Sequence, residues 1–300
     1  MNQDPLFYID GKVIVITGAA GVIYSHVAQA LASRGAAVAL LDVKRVDPQN
    51  HHSPLQAEAT AQAIRDAGGR ALALFCNVFH VDGVKAALRE VVLQLGNVDV
   101  LINGAGGNQK AATVQPTQKF TELPLDAMRS VVDLNLMGTF IPCQVFCEHF
   151  AQIGQGVIIN TSSMCAFAPL TNIPGYSAAK AAVTNLTRWL AAQVRVDFPG
   201  TVIRVNEIAP GFLITEQNRN LLLNPDESPK PRAVSVLRRT PMGRFGEPEE
   251  LVGALVFLMS QASTFVTGTT VVVDGGFAAC SGVGPLDEKD GQFVREVTLP

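Results

Sequence analysis

Short continuous runs of apolar and β-branched residues alternate with longer segments whose apolar positions recur at helical spacing. Lys12–Thr17 (KVIVIT) is the kind of run that a strand covered on both faces requires. The pattern then predicts a helix over Ser25–Ser33, a strand over Ala37–Leu41, and a helix over Ala57–Ala67 that stops at Gly68-Gly69. A strand over Ala71–Phe75, a helix over Val84–Leu95 and a strand over Val98–Ile102 follow. A long helix over Ala127–Phe150, a strand over Gly156–Asn160, a helix over Ser177–Val196 and a strand over Val202–Ile208 come next. A helix over Glu249–Ser260 and a strand over Thr269–Val273 complete the series. Strand–helix alternation without a break predicts one parallel sheet of about seven strands with helices on both faces. That is a Rossmann-type, doubly wound α/β fold of three layers, forming a single domain over residues 1–300.

Two stretches interrupt the rhythm. Asn108–Leu125 is polar with two prolines, and Phe212–Gly246 is rich in Asn, Pro, Ser and Arg. Each follows the C-terminal end of a strand, where open α/β sheets place their ligands, and loops of that length are usually binding segments. Residues 212–246 are therefore read as the substrate loop, and the polar tail Ser281–Pro300 as a segment ordered by a neighbouring subunit.

Composition narrows the function classes. With 23 Lys+Arg against 26 Asp+Glu the net charge is −3, which leaves no basic field for nucleic acid. Only 16% of residues are charged, below the usual ~25%, which implies that another subunit covers part of the surface. No apolar stretch approaches the roughly 18–20 residues of a membrane span. Met1–Gly11 lacks the basic and apolar regions of a signal peptide, so a cytoplasmic location is the expectation. Cys76, Cys143, Cys147, Cys165 and Cys280 form an odd set without a framework and read as reduced thiols. Cys143 and Cys147 are a helical turn apart, but no further ligands converge on them; core packing is the reading, and no metal is expected.

The chemistry begins at Thr17-Gly18-Ala19-Ala20-Gly21-Val22-Ile23-Tyr24, between the first strand and the first helix. A glycine turn there lets backbone N–H groups approach a pyrophosphate at a helix N-terminus, although a tight turn without a ligand would look the same. Asp42 lies 24 residues after Gly18, at the tip of the second strand, where a carboxylate accepts both adenosine ribose hydroxyls. An anion there disfavours a 2′-phosphate, so NAD is expected over NADP, with Lys44 and Arg45 partly offsetting the charge. Tyr176-Ser177-Ala178-Ala179-Lys180 puts a phenol and an ammonium one helical turn apart, thirteen residues after Ser163. A tyrosine ionises near pH 10, and lowering that by about three units takes roughly 4 kcal/mol. A nearby ammonium, together with a positive nicotinamide ring, is a source of it. A bare Y-x-x-x-K also arises where a Tyr and a Lys merely meet on a helix; the combination of motifs decides.

Ser163, Tyr176, Lys180, Asn103-Gly104-Ala105-Gly106, Asn135 within Asn-Leu-Met-Gly, Pro210-Gly211 and Val273-Asp274-Gly275-Gly276 together resemble the short-chain dehydrogenase/reductase family. The similarity runs from Gly11 to about Gly282, with every block in the family's order. Leu101–Asn108, Ser162–Met164, Pro210–Arg219 and Thr240–Glu250 are similar, more narrowly, to a subgroup acting on sugar acids. These are the D-mannonate oxidoreductases of the same short-chain type, also called fructuronate reductases. The resemblance implies that Tyr176 is the general acid/base and that Ser163 hydrogen-bonds the reacting oxygen. Lys180 would hold the nicotinamide ribose and acidify the tyrosine, and Asn135 would keep a water that links the lysine to solvent. Gly18, Gly21, Ile23, Asp42, Asn77, Val78, Asn103, Gly104, Ala105, Pro210, Gly211 and Thr215 are the implied cofactor contacts, with Thr215 at the nicotinamide carboxamide. Relatives pair through the two long helices into dimers and tetramers, so a homo-oligomer is expected.

Two departures stand out. Val22 and Tyr24 occupy the last two glycine positions of the family's T-G-x-x-x-G-x-G pattern, and Asn77 stands where an aspartate normally meets the adenine amino group. The Tyr24 ring is expected either to swing outward over the phosphates or to weaken cofactor binding; Asn77 still offers an acceptor oxygen. For a substrate carboxylate, Asn108, Gln109, Asn218 and Arg219 are the candidate donors, with Met164 lining the pocket. Arg244 is expected to secure the loop. Dehydrogenases of other sugars or polyols, such as gluconate, and a catalytically silent dinucleotide-binding protein are the alternatives.

Overall fold

Seven parallel strands lie in the order β3-β2-β1-β4-β5-β6-β7. They are β1 (Val13–Thr17), β2 (Ala37–Asp42), β3 (Arg70–Phe75), β4 (Val100–Asn103), β5 (Gln155–Thr161), β6 (Val202–Pro210) and β7 (Thr270–Val273). The helices are α1 (Val22–Ala32), α2 (Pro54–Asp66), α3 (Val81–Leu95), α4 (Leu125–Val132), α5 (Gly138–Ile153), α6 (Pro174–Asp197), α7 (Pro231–Arg239) and α8 (Glu250–Met259). The structure, a computed structural model, describes residues 4–43, 54–215, 219–220 and 222–280. Lys44, Arg45, Asn218 and the tail 281–300 lie outside these residues.

The predicted fold class is the observed one, and the alternation in β1 shows why. All five of its residues are buried. Ile14 and Ile16 face an apolar cluster with Leu31, Ile102, Leu251 and Leu255, while Val13 and Val15 face another with Val91, Leu101, Phe146 and Phe150. A strand buried on both sides is apolar along its length, and the polar Thr17 at its end has its Oγ1 satisfied by the Ala105 N–H. Each such side chain contributes roughly 1.5–3 kcal/mol on burial. The register sets Thr17 level with Asn103, and Asn103 level with Asn160. The C-terminal ends of β1, β4 and β5 therefore share one rim, at the point where the strand order reverses.

The differences from the expected elements are local. The predicted helix over Ala127–Phe150 is α4 and α5 joined by a π turn at Asp133–Met137. Asn135 explains the wide turn: its Nδ2 donates to Val131 O (2.8 Å) and Gly107 O (2.7 Å), and Pro142 downstream has no N–H for the ladder. Taken together, Leu125–Ile153 is long and apolar enough to cross a membrane, contrary to the expectation; here half of its most apolar stretch is buried in the protein. The segment read as the loop 212–246 contains α7, which starts at Pro231. Helix α6 begins three residues early because Pro174, with φ already helical, occupies its first position.

Candidate active site

A cavity of about 760 Å³ opens along this rim, within the size range of cofactor sites. Ala105 N–H donates to Thr17 Oγ1 (3.2 Å), tying the turn after β4 to the end of β1. Gly18 has φ +66°, and a Cβ there would lie 2.6 Å from Ala105 Cα, so only glycine makes this turn. Helix α1 follows with Gly21 as N-cap and no side chain closing its first turn, which leaves its leading N–H groups for an anion. At the far end, Ala20 N–H donates to Asp42 Oδ2 (2.8 Å) and Val43 N–H to Oδ1 (2.7 Å). These bonds fix the carboxylate at the tip of β2 with lone pairs to spare. Phe79 N–H donates to Asn77 Oδ1 (3.0 Å). A glycine turn, a helix N-terminus and a held carboxylate around one cavity fit a nicotinamide dinucleotide.

Gly18, Gly21, Ile23, Asp42, Asn77, Val78, Gly104, Ala105, Tyr176, Lys180 and Thr215 all line this cavity. Three of the implied contacts do not. Asn103 is buried beneath it, donating from Nδ2 to Asn160 Oδ1 (2.9 Å) and Cys143 Sγ (3.2 Å). Pro210 ends β6 opposite Val273, and Gly211 lines a separate cavity of about 410 Å³. Tyr24 neither swings outward nor stays at the surface. Its ring is buried against Gly104, where a Cβ would lie 2.5 Å from ring carbons, and its hydroxyl is hydrogen-bonded to Thr161 Oγ1. Burial pushes its pKa up to about 12.

Tyr176 is the third residue of α6 and Lys180 lies one turn on, with Nζ 5.6 Å from the centre of the Tyr176 ring. Lys180 is buried and donates from Nζ to Thr161 O (2.8 Å). Burial brings its pKa down to about 8, against the opposing pull of Cys165 and Glu207. Ser163 caps the short turn Met164–Ala166 after β5 and shares a hydrogen bond with Tyr176. The acidified phenol expected from the spacing is not what this arrangement gives. Desolvation raises the Tyr176 pKa well above the ordinary tyrosine value, Cys165 adds to it, and the Ser163 bond only partly offsets it. Asn135 accepts from Gly107 N–H (3.0 Å), and both its Oδ1 and Lys180 Nζ close on Gly106.

The candidate substrate residues are not gathered at this cavity. Asn108 is exposed and donates to Thr113 Oγ1 (2.8 Å), and Gln109 donates to Ala127 O (3.1 Å). Arg219 is ion-paired with Glu227 within its own loop. Met164 is buried in an apolar cluster with Leu222, Leu223, Phe245 and Phe277, so it packs under the loop instead of lining the cavity. Arg244 pairs with Glu250 (2.6 Å), tying the loop to α8 and holding that carboxyl at about 2. Thr161 was missed by sequence reasoning although it lies at the C-terminal end of a central strand, the signal that marks such sites. Cys165 was missed too. It is buried within electrostatic reach of both Tyr176 and Lys180.

Comparison with known proteins agrees with this geometry. A family model described as enoyl-(acyl carrier protein) reductase, of the short-chain type, matches residues 18–278. An uncharacterized oxidoreductase of Haemophilus influenzae is 43% identical over 294 residues, covering 94% of this chain and 99% of its own. The 2-dehydro-3-deoxy-D-gluconate 5-dehydrogenase of Escherichia coli is 34% identical over 274 residues, covering 91% and 98%. A crystal structure from Haemophilus influenzae with bound NAD, provisionally assigned as a D-mannonate oxidoreductase, superposes with a TM-score of 0.81. It is 43% identical and covers 92% of this chain and 98% of its own. With the family's seven-stranded sheet, and with Tyr176 and Lys180 lining one cavity, the chain is an oxidoreductase of the short-chain dehydrogenase/reductase family.

Proposed function

We propose that this enzyme interconverts a secondary alcohol and a ketone on a sugar acid, with D-mannonate and D-fructuronate as the leading pair and NAD as cofactor. The observation that carries the reaction type is that Tyr176 and Lys180 line one dinucleotide-sized cavity, with Ser163 beside Tyr176. The bound dinucleotide supplies the hydride donor or acceptor. Tyr176 passes its phenolic proton to the substrate oxygen in reduction and takes it back in oxidation. Ser163, already hydrogen-bonded to that phenol, donates to the same oxygen and stabilises its developing charge. Lys180 holds positive charge beside the phenol and binds ribose hydroxyls, while Asn135, anchored on Gly107, keeps the path by which protons are resupplied.

The sugar-acid assignment is supported by the H. influenzae and E. coli relatives and by the segments Leu101–Asn108, Ser162–Met164, Pro210–Arg219 and Thr240–Glu250. The cofactor assignment is supported by Asp42, whose fixed carboxylate opposes a 2′-phosphate, and by the NAD in the H. influenzae structure. Residues 212–246 close over the substrate within the same domain, and Arg219 exchanges Glu227 for a substrate carboxylate. A dehydrogenase of another sugar acid, such as gluconate, is the second reading, favoured by the 34% identical E. coli enzyme. A spectrophotometric screen with NADH and NADPH across hexonates and ketohexuronates tests both. Turnover of D-fructuronate with NADH is expected; turnover confined to a gluconate would establish the second, and no turnover of any polyhydroxy acid would refute the class.

A further inference from the structure

Tyr24 departs from the family's glycine pattern, and neither the sheet nor the proposed chemistry accounts for a phenol there. Its contacts do. The ring fills the space that Gly104 leaves open, and the hydroxyl reaches across from α1 to Thr161 Oγ1 at the end of β5. The carbonyl of the same Thr161 accepts from Lys180 Nζ at 2.8 Å, and Ser163 follows two residues later. Thr161 is the last residue of β5 in register with β6, and the Ser162 N–H beyond it donates to Ile208 O (2.8 Å), so the Tyr24 hydroxyl adds a hold on the Thr161 side chain from the α1 side. We propose that Tyr24 is a positioning residue for Lys180: its phenol fixes Thr161 at the end of β5, and the Thr161 carbonyl holds the ammonium beside Tyr176. This rests on the proposed role of Lys180 in serving the bound dinucleotide.

A carbonyl accepting from an ammonium favours its charged form, so loosening Thr161 moves the Lys180 titration to lower pH. The groups facing Lys180 are Tyr176 on its own helix, Cys165 on the turn after β5, Glu207 on β6 and, through Thr161, Tyr24 on α1. Three of these four remain in a Tyr24→Phe variant, which keeps the ring and removes only the hydroxyl.

The test measures NADH affinity by fluorescence between pH 6.5 and 9.5, together with kcat, on the full-length protein. Wild type should lose affinity with a midpoint near pH 8, and Lys180→Met should abolish that midpoint. Tyr24→Phe should move the midpoint down by about half a unit or more and lower kcat roughly three- to tenfold, the size of one lost hydrogen bond. Thr161→Val should reproduce both effects, and Thr161→Ser, which keeps a hydroxyl, should restore wild-type behaviour. These partners carry the test if Tyr24→Phe folds poorly. An unchanged midpoint in Tyr24→Phe and Thr161→Val, or tighter NADH binding with an unchanged midpoint, overturns the positioning role and leaves Lys180's role standing. A wild-type midpoint absent, or surviving in Lys180→Met, overturns the parent reading and this proposal with it.

Discussion

Two phenols, one ammonium and one carboxylate face the same cavity. Desolvation raises the pKa of Tyr24 and Tyr176 and brings that of Lys180 down to about 8. The spacing of Tyr176 and Lys180 was legible because one helical turn fixes who meets whom. The direction of the pKa shift was not, because it depends on how much water the assembled site excludes. Tyr24 was misread for a related reason. Its partner lies 137 residues away, and its room depends on Gly104. In the proposed reading, cofactor choice turns on Asp42. Asp42→Ala removes an anion that opposes a 2′-phosphate, and its kcat/KM ratio for NAD over NADP should fall by at least about tenfold, worth roughly 1.4 kcal/mol. Steady-state kinetics with both cofactors would show an unchanged ratio if the backbone, not the carboxylate, discriminates.

Between strands, a buried polar network holds the centre of the sheet together. Asn103 Nδ2 donates to Asn160 Oδ1 (2.9 Å) and Asn160 Nδ2 to Thr187 Oγ1 (2.9 Å). Thr187 and Thr270 hydroxyls donate to Glu207 at 3.3 and 2.7 Å. Glu207 is fully buried, and desolvation raises its pKa despite those bonds. An acid whose folded pKa is raised holds its proton longer when folded, so its contribution to stability is lost as pH rises from the unfolded pKa through the folded one. Glu207→Gln keeps the shape and an acceptor oxygen without that cost. Its Tm should match wild type near pH 4.5 and exceed it by a few degrees at pH 8, a gain on the order of 1 kcal/mol. Calorimetry showing a lower Tm at pH 8 would mean that the ionised carboxylate stabilises the sheet. The seven strands and most of the helices were legible from apolar periodicity, but helix α7 inside the loop 212–246 was not. The π turn at Asp133–Met137 was not, because it is set by Asn135 reaching the Gly107 carbonyl in another loop.

Over the whole molecule, the sparse charge has a visible counterpart. On α6, Trp189 and Val196 are seven residues apart on one helical face and are 52% and 71% exposed. We expect a second copy of the protein to cover this face. Sedimentation should show a dimer or tetramer at micromolar concentration, and Trp189→Glu should shift it toward monomer; a monomeric wild type would remove the expectation. The parallel sheet and the rim at its strand ends were implied by the sequence because strand–helix alternation recurs along its length. The seating of Met164 and Arg219 was not, because it depends on how one loop folds on itself. The central claim remains that the Tyr176 phenol carries the proton. Its most direct test is turnover and NADH binding measured side by side on Tyr176→Phe. Turnover should fall by at least about a thousandfold, within the range general acid–base catalysis supplies, while NADH affinity stays within a few-fold of wild type. A Tyr176→Phe enzyme that turns over at the wild-type rate would contradict the account.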